Sequence, residues 1–132
     1  MDYKGVIIEE SLENKDILKD IKILSTEIEK VETHHETPWL LQWTKHAVEI
    51  PEKDISEIAE KISRSLDPNH GGSWYADFKN DTYHYIIYRD KVFRVNRKSK
   101  EEYDEAEQYG LSLGIPADQL INFEGEYRDD PA

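Results

Sequence analysis

Asp77, His84 and Arg97 are the residues of this 132-residue chain whose types and spacing could do chemistry. If tight hairpins with the two-residue loops Asn80-Asp81 and Asp90-Lys91 lie between them, cross-strand pairing sets Asp77 opposite His84 and His84 opposite Arg97. A carboxylate beside an imidazole fixes the ring tautomer and raises its basicity, so His84 would serve as a general base or as an anion contact. A plain cross-strand ion pair that stabilises the sheet by roughly 0.2–1 kcal/mol is the simpler reading of the same placement. No residue is assigned as catalytic outright; these three are the candidates, and an enzyme reading rests on them alone.

Other chemistries find less support. The chain has no cysteine, which excludes disulfides, iron–sulfur clusters, thiolate zinc sites and cysteine nucleophiles. His34 and His35 stand near Glu32 and Glu36, but neighbouring side chains of an extended segment point apart and no HExxH spacing is present. A solvated loop and no metal are expected there. His46 and His70 stand alone and are expected to be structural. Neither a phosphate loop nor a dinucleotide fingerprint occurs, so no cofactor is expected.

The elements that must position the three candidates follow from pattern. Lys4 to Glu10 reads as a strand around the β-branched run Val6, Ile7, Ile8. Asn14 can cap a short helix bearing Ile17, Leu18 and Ile21. A partly covered strand is expected from Lys22 to Val31, a polar connection at 33–38, and a long strand from Trp39 to Ile50. Pro51 suits a first helical position, and Ile55, Ile58, Ala59, Ile62 and Leu66 recur at helical spacing, predicting a helix over 51–66. Asp67-Pro68 and Gly71-Gly72 end it. A meander follows: Trp74 to Lys79, Thr82 to Arg89 and Val92 to Arg97. Ser99 with Glu102 forms a capping box for a last helix over 99–113, whose inner face carries Tyr103, Ala106, Gly110 and Leu113. The expected fold is α+β: a largely antiparallel sheet, with a three-stranded meander in the C-terminal half, covered on one face by two main helices. A single domain over 1–123 and a polar tail over 124–132 are expected.

Alternation along the meander puts Trp74, Phe78, Tyr83, Tyr85 and Ile87 on one face with Arg89, Arg94 and Asn96; Tyr75, Ile86, Tyr88, Phe93 and Val95 share the other. Both faces are too apolar to be simply solvated. The formal net charge is -12, yet residues 89–100 hold six basic residues against Asp90 alone, a local charge of +5. Tyr83, Tyr85, Arg89, Arg94 and Arg97 are therefore the candidate binding residues for an acidic protein partner or for self-association. RNA-recognition sheets also combine aromatic and basic residues, but the glycine-aromatic motif is missing and a charge of -12 opposes phosphate, so nucleic acid is disfavoured.

The segments MDYKGVIIEESL, TPWLLQWTKHAVEIP, WYADFKN and YGLSLGIP together resemble those of a family of short, uncharacterised prokaryotic proteins. The resemblance spans nearly the whole chain, is most specific at WYADFKN, and implies a free-standing intracellular domain without an assigned activity. No charged-then-apolar leader and no apolar run of about 18 residues occurs, so a cytoplasmic location without membrane contact is expected. The function expected from these residues is a non-catalytic binding or interaction module using its aromatic sheet and basic strand. The alternative is a small-ligand binder or small enzyme using Asp77, His84 and Arg97.

Overall fold

The computed structural model describes residues 1–30, 42–67 and 74–123. Its six strands are β1 (Tyr3–Ile8), β2 (Lys22–Lys30), β3 (Gln42–Ile50), β4 (Tyr75–Lys79), β5 (Tyr83–Tyr88) and β6 (Lys91–Asn96), and its main helices are α1 (Ile55–Ser65) and α2 (Lys100–Ser112). The strands form one antiparallel sheet in the order β2-β3-β1-β4-β5-β6. The α+β class, the antiparallel sheet, the C-terminal meander and the two main helices are thus as expected. Val31, the connection expected at 33–38, Trp39 to Leu41, Pro68, Gly71-Gly72 and the tail over 124–132 lie outside the described residues, as do His34, His35 and His70.

Chain direction explains where the helices go. β3 and β4 both run antiparallel to β1 and flank it, so they are parallel to each other. Parallel strands need a crossover rather than a hairpin, and α1 supplies it by passing over one face of the sheet. It buries Ile55, Ile58, Ala59 and Ile62 against Phe78, Tyr85 and Ile87. After β6 the chain crosses the opposite face, where Tyr103 and Ala106 of α2 meet Ile86, Tyr88 and Val95. The helices therefore divide the two faces between them instead of stacking on one. Two apolar faces on the meander required two covers.

Local sequence sets the element ends. The Asn14 side chain accepts the Asp16 amide, as expected of a cap, but the turn it opens over Lys15–Asp20 is a 3-10 helix. Pro51 likewise leads first into a 3-10 turn, Glu52–Asp54, and only then into α1. Ser99 caps α2 by accepting the Glu102 amide at 3.2 Å. The reciprocal half of the capping box is diverted: Glu102 Oε1 accepts the Asn96 amide, while the Ser99 amide bonds the Asn96 carbonyl.

The hairpin loops sit one residue earlier or later than their composition suggests. The Asn80 side chain accepts the amides of Thr82 and Tyr83, which holds Asn80 outside the first loop and leaves Asp81-Thr82 as its tip. In the second, Asp90 takes a left-handed φ of 61°, and Tyr88 pairs with Lys91 across Arg89-Asp90. Each change moves a cross-strand partner by two positions, not one. Side chains alternate with period two, so both faces of the meander keep the membership expected from alternation.

Close approach constrains β1 against β4. A Cβ at Gly5 would overlap the Asp77 carbonyl and lie 2.7 Å from Phe78 Cδ1. Gly5→Ala is expected to destabilise the fold by roughly 1–3 kcal/mol in urea denaturation, because backbone and a buried ring must both give way. An unchanged midpoint would mean that β1 and β4 do not approach this closely.

Candidate functional site

Asp77 and His84 do meet, by a different route from the one expected. Directly across the ladder Asp77 faces Ile86, and His84 faces Lys79 and Val95. The Asp77–His84 contact is diagonal, with Nε2 of His84 2.7 Å from Oδ2 of Asp77. Arg97 is not opposite His84: its amide bonds the Thr82 carbonyl and its guanidinium donates to the Asn80 carbonyl at 2.9 Å. The expected register is corrected here by the loop positions described above.

The third member of the array is Tyr103, whose hydroxyl lies 3.0 Å from His84 Nδ1. Each ring nitrogen of His84 thus faces a polar partner, Nε2 the Asp77 carboxylate and Nδ1 the Tyr103 hydroxyl. Sequence reasoning placed Tyr103 on the inner face of α2 but not against His84, since nothing in a helical stripe names the strand residue it will touch.

A carboxylate, an imidazole and a hydroxyl in line have the form of a proton relay. Access decides otherwise. His84 and Tyr103 are both 0% exposed, and only Asp77 reaches solvent. A hydroxyl sealed between sheet and helix cannot meet a substrate. What this arrangement can do is pin α2 to the sheet through hydrogen bonds that satisfy a buried imidazole, and a bond to a charged group contributes about 1.5–3 kcal/mol.

The candidate binding residues do not form one surface. Tyr85 is buried and packs edge-on to Tyr3, with ring centroids 5.2 Å apart. Arg89 turns inward: its guanidinium donates to the Leu66 carbonyl and lies within 4 Å of Glu13 and Asp90. Arg97 belongs to the opposite face from Tyr83, Tyr85, Arg89 and Arg94. Only Arg94 is exposed, its guanidinium stacked 4.2 Å above the Tyr83 ring. Two of the acids that open α2 are engaged elsewhere, Asp104 with Lys100 and Glu102 with the Asn96 amide. His46 does not stand alone: it is bonded to Thr26 and Glu9 across β2, β3 and the turn after β1. No group of three or more metal-ligating side chains occurs among the described residues. None of the described helices is long and apolar enough to cross a membrane.

No family model, no curated protein and no solved structure matches the chain.

The sealed site carries a pH dependence through two neighbouring tyrosines. Burial raises the hydroxyls of Tyr75 and Tyr88 well above the ordinary tyrosine value. The nearby Asp77 carboxylate adds to the effect at Tyr75, and Glu107 and Asp77 add to it at Tyr88. Tyr75 donates to the Gln119 carbonyl and Tyr88 to the Ala106 carbonyl. The folded chain therefore holds these protons more tightly than the unfolded chain. Their contribution to stability is whole below about pH 10 and is lost as pH rises beyond it. We expect the urea midpoint to fall above about pH 10, and Tyr75→Phe, which has no proton to lose, to flatten that fall. A midpoint independent of pH in that range would contradict the assignment.

Proposed function

We propose that the protein is a non-catalytic, cytoplasmic interaction module that docks an acidic protein surface through β6. The observation that carries this reading is the set of exposed cations on and beside that strand. Lys91, Arg94 and Lys98 are all exposed, and none of them has an ion-pair partner among the described residues. β6 ends the sheet, so its outer edge has no neighbouring strand among those residues. Arg94 is held over Tyr83 and Lys91 over Phe93, which fixes their direction at little entropic cost. Arg94 and Lys91 project from opposite faces of β6, so the cations flank its outer edge, and in a chain of net charge -12 a charged edge of this kind would orient an acidic partner and repel a wrong approach. The burial of His84 and Tyr103 weighs against a reaction at Asp77 and His84, and the resemblance to short prokaryotic proteins adds no activity to set against it.

Charge steering is screened over ~8 Å at physiological salt. Pull-down from cell extract with tagged wild type and Arg94→Glu, followed by sedimentation of the purified complex, is expected to give an acidic partner whose affinity falls with salt and drops about tenfold or more in the variant. Equal capture by both proteins at low and high salt would remove β6 as the docking edge.

A further inference from the structure

At the other edge of the sheet lies a second array of carboxylate, imidazole and hydroxyl, and here the residue that bears the hydroxyl is exposed. Thr26 on β2 pairs directly with His46 on β3, and its Oγ1 is 2.8 Å from Nδ1. Nε2 of His46 is 3.1 Å from Oε1 of Glu9 in the 3-10 turn Glu9–Ser11 that follows β1. Glu9, an acceptor only, takes a proton from Nε2, and in the neutral form of the ring this leaves the Nδ1 lone pair facing the Thr26 hydroxyl. That is the tautomer a hydroxyl nucleophile needs, because its proton then has somewhere to go as it attacks. His46 is 7% exposed, so the ring is held in place, whereas Thr26 itself is exposed.

The surroundings select the electrophile. Ile23 and Ile28 share the face of Thr26 on either side of it and are 40% and 63% exposed. Glu9 and Glu10 lie beneath this face, Glu10 gripping the amide and hydroxyl of Thr44. Lys15 Nζ lies 3.9 Å from Glu9 and offsets its charge in part, but Glu10 leaves the local balance negative, which favours an uncharged carbonyl over an anionic phosphoryl donor.

We propose that Thr26 is an acyl-acceptor site that takes the acyl group of an uncharged activated ester, with an apolar acyl chain lying against Ile23 and Ile28. Thr26 Oγ1 bonds to the carbonyl carbon as its proton passes to His46 Nδ1. The bond from that carbon to the leaving oxygen breaks, and the leaving group carries the proton away as an alcohol or phenol. The product is a Thr26 ester, and no oxidant or further reactant is consumed. Glu9 is a positioning residue that acts through His46. The site lies on the edge opposite β6 and does not depend on docking there.

The test treats the full chain with p-nitrophenyl acetate and p-nitrophenyl butyrate and locates the adduct by intact mass and peptide mapping. One acyl group on Thr26 is expected, formed faster from the butyrate. Thr26→Ser should retain the adduct and Thr26→Val should lose it. His46→Gln should slow its formation about a hundredfold, the usual scale of general-base assistance. Glu9→Gln should slow it less and shift its pH profile, with melting curves confirming that each variant is folded. Absence of acyl-Thr26 in wild type, or an unchanged rate in a folded His46→Gln, would overturn the proposal.

Discussion

Burial of β5 on both of its faces is the constraint on which the rest of the structure depends. From His84 to Tyr88 every residue is buried, with Tyr85 and Ile87 turned toward α1 and His84, Ile86 and Tyr88 toward α2. Each large apolar side chain taken fully from water contributes roughly 1.5–3 kcal/mol, so neither face can be left open without a substantial loss. The strand thus belongs to two cores at once. Ser63 of α1 reinforces this by donating to the Tyr88 carbonyl at 2.6 Å, while the Tyr88 hydroxyl donates to the Ala106 carbonyl of α2 at 2.9 Å. The imidazole of His84 is the polar exception within the strand, and Asp77 and Tyr103 answer it from β4 and α2.

A sheet whose middle is sealed leaves its edges for interaction, and the two edges differ in kind. β6 carries exposed cations beside aromatic rings. β2 is exposed along nearly its whole length but is guarded against pairing with other strands by lysines at both ends and by a bulge at Leu24. Behind it, the face of β1, β3 and β2 that α2 does not reach is solvated by ion pairs, Lys45 with Glu29 and both Lys4 and Lys22 with Glu49. Such exposed pairs contribute little to stability. They explain instead why this half-face needs no cover.

Alternation was the readable part of the sequence. It assigned the large apolar residues of the meander to their faces, because a face depends only on parity and survives a shift of two in register. Register was not readable, since it turned on Asn80 bonding the amides after it and on Asp90 tolerating a left-handed backbone, choices that dipeptide composition does not rank. The side of the sheet each helix takes was hidden for a related reason: it follows from strand order, and the antiparallel pairing of β1 with both β3 and β4 joins segments some 40 to 75 residues apart. His46 looked solitary because its partners, Thr26 and Glu9, come from two other elements. Asp77 with His84 was found from the right parity and the wrong pairing, and Tyr103, the residue that closes the site, had no local signal beyond its place in a helical stripe.

If β5 joins the two cores into one cooperative unit, weakening one side must be felt on the other. Amide hydrogen exchange followed residue by residue in wild type and Tyr103→Phe measures this directly. Loss of the hydroxyl bond to His84, a change of about 1–3 kcal/mol, should reduce protection by a similar factor, roughly fivefold to a hundredfold, at the slowest amides of α2, β5 and α1 alike. Reduced protection confined to α2, with the amides of Ile58 to Ile62 in α1 unchanged, would contradict the account.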